Sequence, residues 1–128
     1  MGRALICAAT ITALVAGSAL ANAASKPINL KAAKRVAEAA VKRRAVDEGG
    51  VGPPTVSGAT CKRLSRSVAL CREGFGVMTD AATPSSPAVY VQCTARVRVA
   101  QRHAGPRVTN VETSPVDPDS YMANILCS

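Results

Sequence analysis

Three patterns of apolar and polar residues follow one another along the chain. Residues 4–20 are uncharged and mostly apolar. Residues 30–46 show a helical period. Leu30, Ala33, Val36, Ala37, Ala40 and Val41 fall on one arc at about 100° per residue. Lys31, Arg35, Glu38 and Lys42 fall opposite, with Lys34 at the boundary. Asn29 is placed to cap this helix and Gly49-Gly50 to stop it. Pro27 disfavours helix just before it, so residues 24–28 read as a short extended lead. Glu38 and Lys42 make a favourable i,i+4 pair. Arg43 and Arg44 suit the negative end of the helix dipole. Because Arg44 projects into the apolar arc, the buried face is expected to stop before it.

Beyond a Gly/Pro linker at residues 50–54 the period becomes two. Residues 55–64 read as one strand, Ser65-Arg66-Ser67 as a hairpin loop, and residues 68–72 as the return strand, with a reach to Val77. A loop centred on Arg66 sets Leu64 opposite Val68 and Cys61 opposite Cys71. Residues 79–87 form a polar Pro/Ser-rich loop. Residues 88–99 carry the strongest strand pattern. Val89, Val91, Cys93, Ala95, Val97 and Val99 alternate with Tyr90, Gln92, Thr94, Arg96 and Arg98. A turn at residues 103–106 leads to an antiparallel partner at 107–112. There the odd spacing of Val108 and Val111 implies a bulge. Residues 114–120 contain two prolines and read as a loop. Residues 121–127 fit either an edge strand or a helical turn capped by Ser120. The assembled fold class is α+β: one amphipathic Ala/Lys/Arg-rich helix packed on an antiparallel sheet of about four strands, stabilised by disulfides.

The apolar run at the N-terminus changes the compartment. Arg3, the uncharged stretch and Ala21-Asn22-Ala23 match the three regions of a secretory signal peptide. Cleavage is expected after Ala23, with Ala19-Leu20-Ala21 as a second choice. The run is short of the about 20 apolar residues of a bilayer-spanning helix, and no later segment could span a membrane. Residues 1–23 are therefore read as signal and residues 24–128 as one small secreted domain. Cys7 leaves with the signal. Cys61, Cys71, Cys93 and Cys127 remain, an even number in an oxidising compartment, which predicts two disulfides. The C-x-x-C spacing of zinc sites is missing, so no metal or cofactor is expected.

Four cysteines allow three connectivities. Directly opposite residues in an antiparallel pair lie about 4.5–5.5 Å apart at Cα, a separation a disulfide can bridge. The hairpin register therefore favours Cys61–Cys71, which leaves Cys93–Cys127. The bridges matter because the large apolar residues are mostly Val, with no Trp and a single Phe, Phe75. Such a core buries little apolar area per residue.

Charge narrows the partners. The chain has 16 Lys+Arg against 8 Asp+Glu, a net charge of +8, which favours anionic surfaces or acidic proteins. Candidate polyanion contacts are Lys31, Lys34, Arg35, Lys42 and Arg43 on the helix, with Arg96 and Arg98 on the strand. Helix and strand cations are expected to face opposite ways. Aromatic residues to stack on bases are few, and export argues against nucleic acid. Catalytic candidates are sparse. His103 is the only histidine and falls in a turn. A cysteine nucleophile needs a free thiol, and the disulfides leave none. Asp117 and Asp119 fall short of a calcium loop and are better explained by turn chemistry. Gly74-Phe75-Gly76 lacks the context of a phosphate loop. The expected function is therefore noncatalytic: a secreted binding or structural protein contacting an extracellular protein or an acidic cell-envelope polymer.

Two resemblances follow from the quoted residues. The helix at 30–46, the Cys61-Lys62-Arg63-Leu64-Ser65 stretch, Cys71, Cys93 before a Val/Arg strand and the near-terminal Cys127 resemble a set of small secreted bacterial four-cysteine proteins. That resemblance implies an architecture and no particular activity. Cys93-Thr94, and Ala123-Asn124 followed by Cys127, are similar to segments of the subtilisin-inhibitor family. This implies an alternative function, a secreted serine protease inhibitor using residues 79–87 or the region around Cys93. The chain departs from that family by opening with a basic helix. It also alternates like a strand where the family has its exposed protease-binding loop. A small secreted enzyme using His103 is a further alternative.

Overall fold

The structure is a computed structural model and describes residues 26–128. The expected signal peptide, both cleavage positions and Cys7 lie outside the described residues. Helix α1 spans Leu30–Asp47, capped by the Asn29 side chain, which accepts from the N–H groups of Lys31 and Ala32. Its end falls at Glu48, and Gly49 follows at φ 80°. That left-handed conformation suits glycine, and the Gly49 N–H donates to the Val46 carbonyl.

Five strands follow: β1 (Thr55–Val56), β2 (Thr60–Ser65), β3 (Val68–Asp80), β4 (Val89–Arg102) and β5 (Gly105–Pro115). All pairings are antiparallel. β3 pairs with β4 along its length, and β4 with β5. β1 and β2 both pair with the other edge of β3, so the sheet is four strands wide. A short helix α2 (Tyr121–Leu126) closes the chain, with the Ser120 hydroxyl accepting from the Ala123 N–H. Of the two expected readings of that tail, the helical one is observed.

Several boundaries differ from expectation. The single strand at 55–64 is split, because residues 57–59 leave the ladder between β1 and β2. The hairpin loop is two residues, Arg66 and Ser67, and Ser65 rather than Leu64 pairs with Val68. Leu64 is the extra residue of a bulge, so Cys61 still sits opposite Cys71. β3 runs on to Asp80 and so takes up the start of the expected loop at 79–87. The bulge implied by Val108 and Val111 lies where Arg98 pairs with Asn110 and Val99 with Val108, leaving Thr109 unpaired. The buried face of α1 does not end before Arg44. Ala45 is buried, while Arg44 turns aside to Glu48 and to the Ser128 carbonyl.

Both disulfides follow the favoured pairing. Cys61–Cys71 bridges directly opposite residues with Cα atoms 4.0 Å apart. Cys93–Cys127 ties α2 to the middle of β4, with Cα atoms 5.5 Å apart. One face of the sheet carries Ala69, Cys71, Phe75 and Val77 from β3 and Cys93, Ala95, Val97 and Val99 from β4, all buried. Ala33, Ala37, Ala40, Val41 and Ala45 of α1 lie on it. Alanines let the helix approach closely, so branched side chains of the sheet fill the space between. Phe75 is the largest fully buried side chain, and burying such a residue contributes about 1.5–3 kcal/mol. Ile28 joins this core from the extended lead. Its N–H donates to the Arg66 carbonyl, and its own carbonyl accepts from Arg63 Nη2. Ala123 and Cys127 belong to the same core, so both helices occupy one side. Among the described residues nothing covers the other face of the sheet, its bare face.

Candidate functional site

The bare face is built by strand alternation. Cys71 and Val97 point into the core, so Leu70, Arg72, Arg96 and Arg98 point out. The register aligns them in two rows. Lys62, Leu70, Arg98 and Asn110 cross β2, β3, β4 and β5 in one. Thr60, Arg72, Arg96 and Glu112 cross in the next. Arg107 pairs with Ala100 further along. Two shallow depressions of about 180 Å³ each meet at half-buried Leu70. Leu64, Arg96, Arg98, Asn110 and Glu112 line one, and Thr60, Cys61, Lys62 and Arg72 the other.

Arg72 directly opposes Arg96, and like charges so placed destabilise a sheet. Among the described residues the ion pairs are Lys34–Glu38 at 3.7 Å and Arg44–Glu48 at 2.9 Å. Neither lies on this face. Glu112 is the acidic member of the second row, and its Oε1 accepts from Asn110 Nδ2 at 3.2 Å. Lys62, Arg72, Arg96 and Arg98 are thus exposed cations held at strand spacing, and among the described residues none of them forms an ion pair, although Glu112 stands across from Arg96.

Of the expected contacts, Arg96 and Arg98 belong to this cluster. Lys31, Lys34, Arg35, Lys42 and Arg43 are exposed along α1, on the opposite side of the sheet. The structure does not bring the two groups together. Lys62 and Arg72 were missed, although the signal was present: each adjoins a cysteine whose partner fixes it on the core face. His103 is exposed in the β4–β5 turn, and Asp117 Oδ1 accepts the Asp119 N–H at 3.0 Å, a turn contact. Cys93, considered for a protease-binding loop, is buried within β4. Residues 81–87 are an exposed loop without a cysteine, braced by a Thr83–Ser86 bridge.

A second feature lies at the seam between α1 and the sheet edge. Glu73 faces the core side of β3 and is 3 % exposed, and neither carboxylate oxygen has a hydrogen-bond partner. Burial, with the nearby Glu38 charge adding to it, pushes its pKa up to about 7, against the pull of Lys34. A cleft of about 410 Å³ runs above it, between α1 and residues 56–58. Among the described residues no cluster of three or more His, Cys, Asp or Glu could hold a metal ion. No described helix is long and apolar enough to cross a membrane. A scan of protein-family models, a search of curated proteins and a search of solved structures each returned no match. The two family resemblances rest on the residues quoted for them.

Proposed function

We propose that the protein is a noncatalytic secreted binding protein whose bare sheet face holds an acidic partner, an envelope polymer or an acidic protein surface. The observation that carries this reading is the opposition of Arg72 and Arg96 across β3 and β4, flanked by Lys62 and Arg98, none of which forms an ion pair among the described residues although Glu112 stands across from Arg96. An arrangement that costs the isolated fold free energy is offset when an anion spans the two guanidinium groups. Leu70, in the adjoining row between Lys62 and Arg98, supplies an apolar contact for the stem of a polymer or side chain. Export is supported by the pattern of residues 1–23 and by two disulfides that an oxidising compartment maintains.

The test is retention on an immobilised acidic polysaccharide across a salt series. Retention should fall steeply with salt. Replacing Arg72 and Arg96 with alanine should lower affinity by about tenfold or more, at about 1 kcal/mol for each lost charge contact. Replacing Lys31 and Arg43, on the outer face of α1, should change it little. Salt-independent retention, or equal losses from both double variants, would contradict the assignment.

A further inference from the structure

We propose that the cleft between α1 and the broken sheet edge is a binding site for a zwitterion with an apolar side chain, such as an α-amino acid. The ligand's ammonium group meets Glu73 and Glu38, and its carboxylate meets Arg35 and Lys42. This site is separate from the bare face of the sheet.

The cleft lies where the regular ladder is interrupted at residues 57–59, between β1 and β2. Arg35, Glu38, Ala39 and Lys42 line it from α1, at helix spacings that put them on one stripe. Val56, Ser57 and Gly58 form the opposite wall, and Glu73 the floor. The cleft is open to solvent along its outer side, and its volume of about 410 Å³ is large enough for a small molecule. The wall is held in place: Ser57 Oγ donates to the Gly74 carbonyl and accepts the Gly74 N–H, both at 2.9 Å. Glu38 Oε1 accepts the Ala59 N–H at 3.1 Å, tying helix to edge.

Glu73 points to the ligand's chemistry. A buried carboxylate without a donor is costly, and an ammonium group brings three donors. Arg35 and Lys42 have long exposed side chains that can swing aside to admit it, and neither forms an ion pair among the described residues. A bare cation would meet these two positive groups, and a bare anion would meet Glu38 and Glu73. A ligand carrying both charges satisfies both sets, and Ala39 and Val56 offer its side chain an apolar contact.

Proton linkage follows. The charged groups of α1 at this site are Lys34, Arg35, Glu38 and Lys42, and the β4 residue opposite Glu73 is Ala95. Binding an ammonium group requires Glu73 ionised, so affinity should rise with pH through about 7.

The experiment is an amide chemical-shift titration of the purified protein with L-leucine, and with its two half-probes, 3-methylbutylamine and 4-methylpentanoate. Leucine should give saturable shifts at Ser57, Gly58 and Glu73, and each half-probe should bind about tenfold more weakly. Glu73→Gln should weaken leucine binding about tenfold and abolish its pH dependence. Lys42→Ala should weaken it several-fold, while Arg72→Ala should leave it unchanged. No saturable shift with leucine, equal binding of the amine alone, or full binding by Glu73→Gln would overturn the proposal. If Glu73→Gln does not fold, the half-probe comparison on the unaltered protein and Lys42→Ala decide.

Discussion

A carboxylate closed beneath α1 with no donor is easier to bury with its proton on. The folded state therefore holds the Glu73 proton to about pH 7, whereas an unfolded chain releases it near 4.5. A raised carboxylate pKa means that the native state binds more protons than the unfolded one between those values. Stability is then greatest below about pH 4.5 with respect to this group, and declines as pH rises through 7. Glu73→Gln keeps the shape and removes the titration. At pH 8 the variant should be more stable than the parent by on the order of 2–3 kcal/mol. At pH 4.5 the two should differ little. Urea unfolding at the two pH values checks this, and a difference that does not change with pH would contradict it. Nothing in the pattern of residues announced Glu73. Its inward position follows from the parity of Cys71 and Phe75, but Gly74 and Gly76 blur the alternation there. Its cover is an α1 residue stripe 35 positions earlier in the chain. The outward position of Arg72 follows from the same parity, one residue from Cys71.

The elements were legible where one face alone is buried. The period of two across residues 89–99 and the helical arc from Leu30 to Val41 each reflect a single buried side, and both elements formed there. Residues 55–64 misled because β-compatible residues continue through Ser57-Gly58-Ala59, while tertiary contacts pull that segment out of line. There the Ala59 N–H turns to Glu38, whereas Ser57 stays bonded to Gly74 of β3. The hairpin loop was off by one residue, and the Leu64 bulge absorbed the difference without moving Cys61 from Cys71. The two bridges should not be equivalent. Cys61–Cys71 closes a sequence separation of 10 and Cys93–Cys127 one of 34. Chain entropy predicts about 3 and about 4 kcal/mol respectively. Cys93 and Cys127 are also both fully buried, so the paired alanine variant there loses packing as well. Denaturant midpoints of the two double variants should show the larger loss for Cys93 and Cys127. Equal midpoints would mean that α2 adds little to the fold.

At the scale of the whole molecule, the helices and the core lie on one side of the sheet and the unpaired strand cations on the other. The helix cations form a separate surface, so these two groups of cations lie on opposite faces. Fold class and cysteine pairing were readable because they depend on local periods and on register. The composition of the charged face was only half readable, since Lys62 and Arg72 join Arg96 and Arg98 only once β2, β3 and β4 are set in line. Glu112, the one carboxylate in those rows, should oppose an acidic partner, so Glu112→Gln should raise affinity for an acidic polysaccharide a few-fold in the same retention assay. The most direct measurement is an amide chemical-shift titration of the protein with an acidic oligosaccharide at low salt. A polyanion site on the sheet face predicts that the largest shifts fall on Lys62, Leu70, Arg72, Arg96 and Arg98 and vanish as salt is added. Shifts centred instead on Lys31, Lys34, Arg35, Lys42 and Arg43, or none at any salt concentration, would contradict it.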